Sequence, residues 1–129
     1  MSLASQLNAL SALKILNSVS AANTAAATSG WIQVSNYEGL VAILINTGII
    51  TGTITYTFET ATDGSGTGAA AIVPLNGALT QVTTSNDDDT PYIALFDSRK
   101  LSGYIRVIGT IATGPALISY QLIGRKKTV

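Results

Sequence analysis

Along most of the chain, apolar positions alternate with polar ones at a period of two, the spacing of a strand that buries one face. The clearest case lies within residues 52–59, where Ile54, Tyr56 and Phe58 alternate with Thr53, Thr55 and Thr57. Short runs of Ile, Val, Leu, Thr, Tyr and Phe, broken by Gly, Asn, Asp and Pro, predict strands at 31–34, 40–46, 52–59, 71–74, 79–83, 92–97, 103–110 and 117–124. The stretch from Leu40 to Ile45 departs from alternation, being apolar on both faces. A central strand covered on each side reads this way, and so does one whose outer face meets another subunit.

The first thirty residues follow a different rhythm. Leu3, Leu7, Leu10, Leu13 and Leu16 recur at spacings of three and four, which predicts a helix over 2–19 with Ser2 as its N-cap and the leucines on one stripe. An isolated helix of this length is marginal in water, so the stripe needs a partner. AANTAAATS at 21–29 lacks large apolar residues and reads as a linker. The expected organisation is an N-terminal helical arm and linker at 1–29, followed at 30–129 by a mainly β domain. About eight short strands with no interleaved helices predict an antiparallel β-sandwich or jelly roll. Between strands, DGSGTG at 63–68 predicts a mobile glycine-rich turn, and SNDDDTP at 85–91 a polar loop closed by proline.

Composition then narrows the function. Charged residues are only 11% of the 129, against roughly 25% in an average soluble domain, while 47% are hydrophobic. Low charge removes the usual protection against association, and with the two-faced apolar strand it predicts an oligomer. Net charge is zero, so no global field draws the chain to nucleic acid or an anionic membrane. No stretch approaches the roughly 18 apolar residues of a membrane helix, and the N-terminus lacks the basic region of a secretory signal, so a soluble chain is expected. Charge is nonetheless segregated. Asp63, Asp87, Asp88, Asp89 and Asp97 fall in the middle, and Arg99, Lys100, Arg106, Arg125, Lys126 and Lys127 towards the end.

The chain has no Cys and no His, which excludes disulfides, the usual zinc sites, thiolate nucleophiles and imidazole-based triads. Asp87, Asp88 and Asp89 are the one carboxylate cluster, but consecutive residues of an extended chain point in alternating directions. They read as a solvated acidic loop rather than a Ca²⁺ site. No pair of acids is placed for glycoside hydrolysis. The turn at 63–68 lacks the Gly-Lys-Ser/Thr ending and following helix of a phosphate loop. Aromatic residues are scattered along the strands as core, not clustered as a stacking platform. No catalytic, metal or cofactor site is expected. The residues picked out as assembly contacts are Leu3, Leu7, Leu10, Leu13 and Leu16 of the arm, the acidic Asp87, Asp88 and Asp89, and the basic Arg125, Lys126 and Lys127. The two charged clusters are expected to pair between subunits or with a partner.

GWIQVSNYEGLVAILINTGIITGTITYTFETATDGSGTGAA at 30–70 and YIRVIGTIATGPALISYQLIGRKK at 104–127 resemble a family of small structural proteins of tailed bacteriophages, the head-decoration or cement proteins. The resemblance rests on a W-x-x-V-S-x-Y-E-G opening, a T-A-T-D-G turn and a Y-I-R-V-x-G-T closing strand, in that order, and covers about the last hundred residues. It implies a non-enzymatic protein of the virion surface, made in the bacterial host cytoplasm, whose jelly-roll or related domain bridges subunits of the major capsid protein, commonly as a trimer. It implies no cofactor, small-molecule substrate, nucleic acid or membrane. A head–tail joining or tail-associated virion protein and a receptor- or glycan-binding module are the alternatives.

Overall fold

A computed structural model describes residues 12–15, 19–21, 26–85, 91–113 and 116–127. Its strands are β1 (Ala12–Ile15), β2 (Val19–Ala21), β3 (Ala26–Thr28), β4 (Ile32–Gln33), β5 (Tyr37–Ile50), β6 (Thr53–Ala61), β7 (Ala70–Ile72), β8 (Tyr92–Asp97), β9 (Tyr104–Ala112) and β10 (Ala116–Lys126). All pair antiparallel in two sheets. Sheet A runs β1-β10-β5-β8, with β2 also against β10; sheet B runs β3-β9-β6-β7, with β4 also against β9.

β1 and β2 occupy successive stretches of one edge of β10, and β3 and β4 do the same on β9. Counting each interrupted edge as a single strand leaves four strands per sheet. Every connection then crosses between sheets except that from β6 to β7, which is the double Greek key of a jelly roll. The mainly β, antiparallel sandwich expected from the strand pattern is the observed fold.

The core lies where the inward residues of both sheets meet. Val41, Ile43 and Ile45 of β5, Ile118, Tyr120 and Leu122 of β10, and Ala94 and Phe96 of β8 face Ile54, Tyr56 and Phe58 of β6 and Ile105, Val107 and Ile111 of β9, all of them buried. Each large side chain so buried contributes about 1.5–3 kcal/mol. Phe58 and Phe96 meet edge-on across the sandwich at 5.0 Å, as do Tyr56 and Tyr120 at 6.1 Å. Two hydroxyls tie the sheets together inside this apolar layer. Tyr56 Oη lies 2.6 Å from Thr47 Oγ1, and Tyr120 Oη donates to the carbonyl of Ala27 at 2.7 Å. Among the described residues no buried side-chain polar atom lacks a partner, as a well-formed interior requires.

The N-terminal region departs from expectation. Where it is described, the predicted helix is extended: β1 and β2 hydrogen-bond to β10, with Leu13 opposite Ile123. β10 would otherwise present an unpaired row of backbone donors and acceptors, and satisfying an edge outweighs forming a marginal helix. Leu3, Leu7, Leu10 and Leu16 lie outside the described residues. The supposed linker likewise supplies β3 to sheet B, and Ala27 is buried beneath Tyr120.

Other boundaries shift for similar reasons. β5 begins at Tyr37, ahead of the strand expected from residue 40, and passes a bulge opposite Gly124 and Arg125 where Gly39 takes φ +71°. The predicted strand at 79–83 reduces to a bridge in which Val82 and Ile54 exchange both backbone hydrogen bonds.

Candidate assembly surface

Alternation along sheet A sends every second side chain outward, and on this sheet many of those side chains are apolar, with Asn46, Ser119 and Gln121 polar among them. Leu40 and Leu44 of β5, Ile93 and Leu95 of β8, and Leu117 and Ile123 of β10 point away from the core. Leu40 is 58% exposed, Ile93 47% and Leu117 46%. Register brings most of them together: Leu44 stands between Ile93 and Gln121, and Ala42 between Leu95 and Ile123, while the Ser119–Asn46 pair separates Leu117 from the group. Isolated exposed leucines are ordinary on a protein surface, but a contiguous apolar sheet face marks an interaction site. The two-faced apolar strand is thus central in its sheet and uncovered on its outer side among the described residues.

The edge of β8 is closed by side-chain mimicry of a strand. The turn from Pro74 to Gly77 lies against it, with Leu75 N–H donating to the Leu95 carbonyl at 2.7 Å. Asn76 completes the pairing: its Nδ2 donates to the Ile93 carbonyl at 2.7 Å and its Oδ1 accepts from Leu95 N–H at 3.1 Å. This removes an edge that would otherwise recruit strands without specificity, and leaves the outer face as the apolar surface on offer. Leu75 and Val73, in and just before this turn, are also exposed. The P-L-N-G sequence signals a turn, but nothing local shows that it caps a strand seventeen residues further on.

The outer face of sheet B is polar. Thr53, Thr55 and Thr57 line β6, and Glu59 accepts from Arg106 Nε at 2.8 Å. The Arg106 guanidinium lies 4.5 Å from the ring centre of Trp31, a cation–π contact. Against the same indole packs the 63–68 turn, which is held by hydrogen bonds rather than open. Asp63 Oδ1 accepts from the backbone of Ser65 and Thr67, and Thr62 N–H donates to the Thr67 carbonyl. Hydrogen bonds from Thr67, then Ser65, hold the Asp63 carboxyl below its ordinary range. A side chain at Gly66, which has φ +86°, would come within 2.9 Å of Trp31 Nε1. With Arg106 and Gly66 both packed on it, the indole is not an open stacking surface for a sugar.

The basic residues gather at one end of the sandwich. Arg125 and Lys126 end β10 opposite Glu38 and Tyr37, Lys127 follows, and Arg99 and Lys100 form a short 3-10 turn after β8. Asp97 caps that turn and grips Arg99 with both oxygens, at 3.1 Å to Nε and 2.9 Å to Nη2. This pairing keeps the Asp97 carboxyl low and the Arg99 guanidinium high. Arg125 Nε lies 3.4 Å from Glu38 Oε1, so its nearest acid is in its own chain. Lys100, Lys126 and Lys127 form no ion pair among the described residues. Asp87, Asp88 and Asp89 lie outside the described residues, in the segment joining Ser85 to Pro91.

Of the residues expected to make assembly contacts, the structure thus brings Arg125, Lys126 and Lys127 to one exposed end and sets Leu13 on the edge of sheet A. Among the described residues no three Asp, Glu, His or Cys side chains converge as a metal site would need, and no helix is long and apolar enough to cross a membrane. Neither a family model, a curated protein nor a solved structure matches the chain.

Proposed function

We propose that the protein is a non-enzymatic capsid-decoration protein of a tailed bacteriophage, which docks on the major capsid protein through the outer face of sheet A. The observation that carries this reading is the apolar cluster formed by Leu40, Leu44, Ile93, Leu95 and Ile123 on the outer face of sheet A. A flat, preordered sheet face loses little conformational entropy on docking, which suits a protein that must bind many equivalent sites. The jelly roll is used repeatedly in viral shells, though it also serves lectins, so fold alone does not choose between them. The covered Trp31 weighs against the glycan-binding alternative. The motif resemblance supplies the phage context, and homotrimeric decoration of the virion surface is part of the proposal. Counting copies in purified virions by stoichiometric gel tests it. A copy number that scales with the major capsid protein supports decoration, whereas one ring per particle contradicts it and favours a head–tail joining role.

A further inference from the structure

We propose that Asn76–Gly77 is a modification site: the fold suppresses its deamidation, and conversion to aspartate or isoaspartate unlatches the edge of β8. Of the chain's asparagines only Asn76 precedes glycine. Glycine has no Cβ to shield its own nitrogen or restrict its approach to the preceding side chain. In the reaction the Gly77 backbone nitrogen gives up its proton and attacks the side-chain carbonyl carbon of Asn76. A ring C–N bond forms, the bond from that carbon to Nδ2 breaks, and ammonia leaves. Water then adds to one or other carbonyl of the cyclic imide, giving aspartate or isoaspartate. Asn76 is exposed to the solvent that supplies this water.

The turn needs both residues. Gly77 takes φ +93°, a conformation that side chains rarely adopt, and Asn76 supplies the amide that pairs with β8. The same contacts keep the reacting atoms from meeting. Asn76 Nδ2 donates to the Ile93 carbonyl at 2.7 Å while Oδ1 accepts from Leu95 N–H at 3.1 Å, so the carboxamide cannot turn towards Gly77 without breaking both bonds. Gly77 N–H donates to the Pro74 carbonyl at 2.9 Å, which engages the proton that must leave. Three hydrogen bonds therefore open before the ring closes, and the rate follows the small population in which the turn is open.

Either product loses the donor half of the clamp. An ionised aspartate only accepts hydrogen bonds, so the oxygen in place of Nδ2 faces the Ile93 carbonyl oxygen across a gap that a hydrogen bond now spans. Isoaspartate adds a main-chain carbon to the turn as well. What comes free is the backbone of Ile93 and Leu95, a sheet edge of the kind that recruits other strands. Because ammonia has left, the opened edge does not reclose by reversal.

Two measurements on the full-length chain test the site. In the first, the protein is aged in mildly alkaline buffer, either folded or unfolded in guanidinium, and mass spectrometry follows amide-to-acid conversion in the peptide spanning Asn76. Conversion should be at least about tenfold slower in the folded chain; equal rates overturn the proposal. In the second, Asn76→Asp stands in for the product, and amide hydrogen exchange reads the latch. The Leu95 amide should exchange about tenfold faster or more, while amides of β9 in the other sheet keep their protection and show that the fold persists. A folded Asn76→Asp chain with native exchange at Leu95 overturns the proposal. Should Asn76→Asp fail to fold, Asn76→Ala removes both side-chain hydrogen bonds without adding charge and is read at the same amide, where native exchange again overturns it.

Discussion

Tyr120, midway along β10, donates its phenol hydrogen to the backbone carbonyl of Ala27 in the facing sheet at 2.7 Å. Its oxygen sits over Gly109 of β9, where an added Cβ would come within 2.7 Å of it. The bond joins residues 93 positions apart and pins the small-residue stretch before residue 30 to the core. Tyr120→Phe should cost about 1–2 kcal/mol in denaturant unfolding. Gly109→Ala should cost about 1–3 kcal/mol, because the pinned phenol cannot swing away. Combined, the two should cost less than their sum, since Phe removes the oxygen that the new methyl strikes.

Stability should also fall at high pH. Burial pushes the Tyr56 hydroxyl up to about 12, against the pull of its Thr47 hydrogen bond, and burial raises Tyr120 as well. The unfolded chain releases these protons near pH 10 while the folded chain still holds them. The stabilisation is therefore complete below about pH 10 and is lost as pH rises towards 12, by up to about 1.4 kcal/mol per pH unit for each group. Guanidinium melts at stepped pH should show this decline, and it should flatten in Tyr56→Phe.

Truncation separates the two parts of the N-terminal region. Deleting residues 1–11 keeps every described pairing of sheet A, which begins at Ala12, and serves as the reference for the longer truncation. Deleting residues 1–22 removes β1 and β2 and bares the edge of β10, and should lower the midpoint strongly and promote aggregation. Equal midpoints for the two truncations would show that the edge pairing contributes nothing.

These expectations show what the residues disclosed and where local reading failed. Alternation in β6 and the two-faced run in β5 announced a sandwich with one unusual strand, because period and burial are local properties of a strand. The leucine spacing before residue 20 misled over the described residues, where the competing influence was the open edge of β10, a hundred residues away in sequence. The turn at 63–68 read as mobile from its glycines, yet Gly66 is small because Trp31 lies against it. The basic end was visible as composition. That Glu38 meets Arg125, and that Asn76 closes the β8 edge, depends on strand register, which no short motif encodes.

The central claim is that the outer face of sheet A binds the capsid shell, and co-sedimentation of purified protein with shells of the major capsid protein tests it most directly. Leu44→Glu with Ile93→Glu places two charges on that face at neighbouring register positions without entering the core, so the fold should persist by circular dichroism. The account predicts saturable binding of the native chain in proportion to capsid subunits, and at least about a hundredfold weaker binding of the double variant, as expected when charge enters the centre of an apolar interface. A folded double variant that saturates the shells as the native chain does would contradict it.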